Sequence, residues 1–177
     1  MALLKKMLLI LIGLIVLILL GGLLIPSQYH VKRSVEIHAS AERIFPLVNA
    51  PKEWKRWTIW NQRDPAMSIR YTGPEQGAGA SWSWVSRTEG NGQMTFTASE
   101  PPKKLTYSLS FPDFGSSSTG TLTLTPNGDT TTVTWTNDGD IGNNPLMRYF
   151  ALAMDKLVGP DFEQGLQNLK KLSESNP

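Results

Sequence analysis

The 177-residue chain has no cysteine. That absence removes disulfides, thiolate nucleophiles and Cys-ligated zinc or iron–sulfur sites. Histidine is nearly as scarce: His30 and His38 are the only two, which leaves almost nothing for a histidine-based metal site or a Ser-His-Asp triad. Asp138-Gly139-Asp140 lacks the remaining EF-hand spacing and its closing glutamate, so it reads as a turn and not as a calcium loop. Gly73, Gly77 and Gly79 form neither GxGxxG nor a P-loop, and no Lys-Ser/Thr follows them. No metal and no cofactor is therefore expected. An excess of one charge is missing too. Lys+Arg number 17 against 15 Asp+Glu, a formal charge of +2. Lys5 and Lys6 carry that excess, because 15 basic and 15 acidic residues remain once they are set aside. A neutral remainder offers no strongly basic surface, so nucleic acid is not an expected partner.

What the chain does have is a long apolar run at its start. Met7 to Ile25 contains no charged or strongly polar side chain. As a helix rising about 1.5 Å per residue it spans roughly 28 Å, close to the hydrocarbon thickness of a bilayer. A cleaved signal peptide has a shorter apolar region followed by a small-x-small site. Here Leu23-Leu24-Ile25 follow the one small pair, Gly21-Gly22. An uncleaved signal-anchor over residues 1–27 is expected, with membrane lipid as its partner. Lys5 and Lys6 favour a cytoplasmic N-terminus, which puts the remainder, residues 28–177, outside the cytoplasm. Gln28-Tyr29-His30 reads as a short connector, with Tyr29 suited to the interface.

Beyond it the hydrophobic period changes twice. Val31, Arg33, Val35 and Ile37 alternate as one strand face. Ser40 is placed to cap a short helix carrying Ile44, Leu47 and Val48, and Pro46 should limit or bend it. Pro51 starts a second short helix through Trp54 and Trp57. Six stretches then alternate apolar residues with Thr or Ser: Met67–Tyr71, Ala80–Val85, and those containing Met94 and Phe96, Leu105 to Phe111, Leu122 and Leu124, and Val133 and Trp135. That code describes an antiparallel sheet with one solvated face. Asn127-Gly128 signals a hairpin turn. Finally Asn144 caps and Pro145 opens a long helix. Its apolar residues Leu146, Tyr149, Phe150, Ala153, Met154, Leu157, Val158, Phe162, Leu166, Leu169 and Leu172 form a stripe expected to pack on the sheet. Pro160 should kink that helix.

This order of elements resembles the helix-grip fold of the START-like, or Bet v 1-like, superfamily, which includes polyketide cyclase/dehydrase-type proteins. Val35-Glu36-Ile37-His38-Ala39-Ser40-Ala41-Glu42-Arg43-Ile44-Phe45 resembles the family's opening strand and first helix. Trp54-Lys55-Arg56-Trp57 is similar to its W-x-x-W segment. The stretch from Tyr71 to Gly79 is similar to its glycine-rich turn. Asp161 to Lys170 resembles the helix ending of the membrane-anchored bacterial members. The resemblance covers about residues 31–175. It implies an α+β fold in which a curved antiparallel sheet, with two short helices, grips the long C-terminal helix. It also implies a bacterial inner-membrane location and an apolar ligand, a hydrophobic small molecule or lipid, between sheet and helix.

On the alternation above, Trp82, Trp84, Met94, Phe96, Tyr107, Leu109, Trp135, Met154 and Val158 face inward and would line such a cavity. Asp155 and Arg148 are candidate polar groups, because both ride on the long helix. An enzyme of the cyclase/dehydrase type would need an inward acid–base pair, for which Asp155, Glu100, His38 and Tyr107 are the candidates. A protein-interaction domain would expose an apolar patch around Trp54, Trp57 and Trp60. The expected function is a membrane-tethered module that binds a hydrophobic ligand.

Overall fold

The computed structural model describes residues 2–175, and of Phe114 the backbone alone. Helix α1 (Ala2–Leu24) is the apolar segment, long and apolar enough to cross a membrane. A seven-stranded antiparallel sheet follows: β1 (Gln28–Ile37), β2 (Ser68–Thr72), β3 (Ser81–Val85), β4 (Gly92–Glu100), β5 (Lys104–Phe111), β6 (Ser116–Asn127) and β7 (Thr130–Asp140). Its spatial order is β1-β7-β6-β5-β4-β3-β2. Strands β2 to β7 therefore form a meander, and β1 joins its far edge by pairing with β7 from Gln28↔Asp140 to Ile37↔Thr131. Three short helices, α2 (Ala41–Asn49), α3 (Pro51–Trp57) and α4 (Trp60–Arg63), carry the chain from one edge of the sheet to the other. The long helix α5 (Pro145–Glu174) packs across the sheet. This is the helix-grip α+β architecture.

The alternation in the sequence becomes alternation of burial. Val31 and Ile37 of β1, Leu122 of β6, and Val133 and Trp135 of β7 are all fully buried. Their Thr and Ser neighbours lie on the other face, where the Ser34 and Thr134 hydroxyls meet at 2.9 Å. A register shift between Phe96 and Ala98 bulges β4, a device that bends a strand and sharpens its twist. The two-residue β6–β7 loop is Gly128-Asp129, one residue later than the Asn127-Gly128 signal, and Gly128 takes φ +60° there.

Two local expectations need correction. Gln28-Tyr29-His30 is the start of β1 and not a connector, since Asp140, Gly139 and Asp138 pair with it. Ser40 precedes α2 in an extended conformation but its side chain makes no capping bond; its carbonyl accepts from the Arg43 and Ile44 amides instead. Pro46 lies inside α2, which stops three residues later at Asn49 after nine residues, a short helix as expected. The carbonyl its ring leaves unpaired belongs to exposed Glu42, where solvent can satisfy it. As expected, α5 is one long helix with Pro160 inside it, and the carbonyl left without a donor is that of exposed Lys156.

The largest correction concerns α5. Phe162, Leu166 and Leu169 are buried, with Met154, Val158 and Leu172 partly so. Leu146, Tyr149, Phe150 and Leu157 are exposed, Phe150 at 54% and Leu157 at 59%. At 100° per residue Leu146, Phe150 and Leu157 fall on a face turned away from the one that carries Ala151, Val158 and Phe162. One broad apolar arc in the sequence is thus two faces in the fold, and the sheet covers one of them.

Candidate ligand cavity

A cavity of about 190 Å³ lies between the sheet, α3, α4 and α5. Strands β3, β4 and β5 supply Trp82, Trp84, Met94, Tyr107, Leu109 and Phe111 to its wall. Ile69 and Tyr71 of β2 close one side, and Met154, Val158 and Phe162 of α5 the other. Trp54 and Trp60 come from α3 and α4, and Thr58 from the link between them. Three wall aromatics lie flat over a glycine of the next strand: Trp84 over Gly92, Tyr107 over Gly120 and Tyr29 over Gly139. A Cβ at any of the three glycines would run into the ring. A glycine on a strand marks such a close approach, and here it lets the rings lean along the sheet and leave space above it.

The wall is chemically quiet. Trp54 sits at the centre of an aromatic cluster, with ring centroids of Trp57, Trp82, Tyr107, Trp135 and Phe96 all 4.8–5.8 Å away. Its indole N–H donates to the Val48 carbonyl at 2.8 Å, and that of Trp57 to the Leu47 carbonyl at 3.0 Å. These bonds leave their rings to act as apolar surface. Trp135 donates to the Tyr107 hydroxyl at 2.8 Å. Burial drives the Tyr107 phenol far above the ordinary tyrosine range, so it stays protonated. Having accepted from Trp135, that hydroxyl keeps its own proton for donation, and Asn137 lies beside it on the cavity wall.

The mouth carries charge. Arg63 of α4 binds two carboxylates at once. It reaches Asp161 of α5 through Nη1 at 2.9 Å and Nη2 at 2.7 Å, and Glu89 of the β3–β4 turn through Nε at 3.1 Å and Nη2 at 2.8 Å. Trp60 adds a bond from its indole N–H to Asp161 at 2.9 Å. Burial pulls the Arg63 guanidinium down, but the bonds to Asp161 and Glu89 outweigh it and hold the pKa above the usual arginine value. Forked pairing of this kind fixes geometry as well as charge. It clasps α4, the turn and α5 together at the rim.

Of the residues expected to line the cavity, Trp82, Trp84, Met94, Tyr107, Leu109, Met154 and Val158 stand on its wall. Phe96 and Trp135 do not. Both are fully buried behind it, and Trp135 is stacked on Phe162 at 3.9 Å and 9°. Strand alternation names the face a residue points to, but not how deep in that face it sits. The two helix charges are elsewhere. Asp155 is exposed and paired with Arg33 at 2.7 Å, a bond that holds its carboxyl below the ordinary aspartate range. Arg148 donates to the Leu23 and Ile25 carbonyls at the end of α1. His38 lies by Glu174, and Glu100 sits opposite Lys104 at the end of β4. Among Asp155, Glu100, His38 and Tyr107, therefore, Tyr107 alone reaches the cavity. Trp54 and Trp57 are buried core and Trp60 is partly buried, so the apolar surface patch expected there does not exist.

The sequence offers no sign of the Arg63–Glu89–Asp161 clasp, because Glu89 and Asp161 stand 26 and 98 residues from Arg63 and only the fold joins them. Ile69 and Tyr71 are legible as strand residues but their neighbourhood is not, and Tyr29 reads as connector until β7 is seen to pair with it. Among the described residues no cluster of three metal-ligating side chains occurs.

Comparison with known proteins agrees with this geometry. No curated protein matches the chain significantly. Among solved structures, norcoclaurine synthase from Thalictrum flavum, as a point mutant bound to a transition-state analogue, is 16% identical with a TM-score of 0.63, over 84% of this chain and 95% of that one. A solution structure from Thermobifida fusca is 23% identical with a TM-score of 0.64, over 82% and 93%. Ara h 8.0201 is 13% identical with a TM-score of 0.61, over 84% and 99%. Identities this low establish the shared Bet v 1-like fold alone. The family model described as polyketide cyclase / dehydrase and lipid transport matches residues 28–174, and the chain belongs to that family.

Proposed function

We propose that this protein is a membrane-tethered binding module for a hydrophobic ligand, held in the cavity between the sheet and α5. The observation that carries the reading is the cavity itself: a mainly aromatic and aliphatic wall in which a few neutral polar groups, the Tyr107 hydroxyl and Asn137 among them, are set. Pockets that bind apolar ligands have this composition, with a few polar groups that fix orientation. The family's description, which includes lipid transport, points the same way.

Volume limits the occupant. About 190 Å³ is below the roughly 300–1,000 Å³ of pockets for drug-sized ligands, and somewhat above the roughly 150 Å³ cavity that takes up benzene. The cavity suits one ring or a few carbons of an acyl chain, with any remainder leaving past Arg63. A polar group on the ligand accepts from Tyr107. A cyclase/dehydrase reaction has less support, because none of Asp155, Glu100 and His38 joins Tyr107 on the cavity wall.

The tether is α1. The apolar stretch following Lys6 matches the bilayer in length, and Lys5 and Lys6 favour a cytoplasmic N-terminus with residues 28–177 outside, as in a bacterial inner-membrane protein. Native mass spectrometry of the full chain released from lipid nanodiscs tests the binding reading. A one-to-one adduct with wild type, lost on Met154→Trp, supports it; a bare protein under all conditions overturns it.

A further inference from the structure

We infer that the first half of α5 lies in the bilayer interface beside α1, with its exposed apolar face immersed in lipid. This rests on the reading that α1 spans the membrane. The two helices are joined at specific points. The Tyr149 hydroxyl donates to the Ile18 carbonyl at 2.8 Å. Ile18 lies six residues before Leu24, so at about 1.5 Å per residue this bond is roughly 9 Å inside the end of α1. Arg148 donates to the carbonyls of Leu23 and Ile25, at 3.0 and 3.3 Å, where a helix end leaves acceptors unpaired and favours positive charge. Gly22 is buried against Pro145, and a Cβ there would meet the Pro145 backbone. The start of α5 is thus fixed at a depth set by α1. If α1 crosses a bilayer, the first turns of α5 cannot stand clear of it.

The exposed side chains suit that position. Leu146, Phe150 and Leu157 form one stripe, flanked by Met147 on one side and Tyr149 on the other. A stripe of this extent left open in water is the mark of an interaction surface. Its continuity with α1 names the occupant as lipid. Within 145–158 the one carboxylate is Asp155, and Arg33 neutralises it on a different face. Lys156, exposed on the same half of the helix, supplies positive charge for anionic headgroups. Met154 and Val158 of the same helix face the cavity, so α5 separates the ligand site from the membrane by the thickness of one helix.

The absence of native cysteine makes the test direct. Single variants Ile12→Cys, Phe150→Cys, Leu157→Cys and Glu163→Cys of the full chain carry an environment-sensitive fluorophore in phosphatidylcholine/phosphatidylglycerol vesicles, with doxyl-labelled lipid as quencher. The expected result is strong quenching at 12, 150 and 157 and none at 163. Quenching at 12 with water-exposed labels at 150 and 157 overturns this inference and leaves the anchor standing. Labels at 150 and 157 that are shielded from water but not quenched overturn it in favour of a protein on that face. No quenching at 12 overturns the anchor and the inference together.

Discussion

The two halves of α5 come from one continuous helix with one apolar period, yet they meet different partners. From Gly159 to Glu174 the helix lies close against the sheet: a methyl group at Gly165 would stand 3.2 Å from the Trp135 ring, and Phe162, Leu166 and Leu169 are buried. From Pro145 to Val158 one narrow strip, Ala151, Met154 and Val158, turns inward, and leucines and aromatics of the same repeat face outward. The difference teaches that periodicity locates an apolar face but does not say what covers it. In the second half the cover is the domain's own core. In the first it is divided between a cavity and, on our account, lipid.

Substitutions should separate the halves by size of effect. Leu169→Ala and Phe162→Ala remove buried side chains and should cost about 2–5 kcal/mol each in chemical denaturation of the full chain. Gly165→Val drives a branched side chain against Trp135 and Trp57 and should cost about 1–3 kcal/mol in the same assay. Leu157→Ser, on the outward face, should change folding stability by no more than about 0.5 kcal/mol. An equal loss at Leu157 and Leu169 would erase the distinction between the halves.

The smallest effect belongs to the boundary between them, where Arg33 reaches past Gly159 to Asp155. The folded Asp155 carboxyl titrates below its ordinary value of 3.8, chiefly because Arg33 hydrogen-bonds its charged form. A depressed pKa contributes stability above the unfolded value and loses it as pH falls through the folded one. The unfolding midpoint of wild type should therefore fall more steeply below about pH 4 than that of Asp155→Asn. Parallel curves would show that the pair adds nothing.

Much of the architecture is legible because it follows from local rules. Alternation of Val, Leu and Trp with Thr marks the strands, and Asn144-Pro145 marks the start of α5, where the Asn144 side chain does accept from the Leu146 amide at 3.0 Å. The site is less legible. That Trp82, Trp84 and Met94 share a face is a period-two statement. That Phe96 lies beneath the cavity and Leu109 beside it depends on strand bending, on the bulge after Phe96, and on glycines across from Trp84 and Tyr107. The clasp of Arg63, Glu89 and Asp161 depends wholly on tertiary approach. Pro46 and Pro160 lie inside helices and both face solvent, where a lost backbone bond costs little because water can replace it.

The central claim is that an apolar ligand occupies the cavity walled by Trp82, Met94, Leu109 and Met154. The most direct measurement is photoaffinity labelling of the full chain in vesicles with a diazirine-bearing fatty acid, followed by peptide mapping. The account predicts adducts on β3, β4 and β5 and at Met154, strongly reduced in a Met154→Trp variant of unchanged unfolding midpoint. Adducts confined to α1 and the outward face of α5, and indifferent to Met154→Trp, would contradict it.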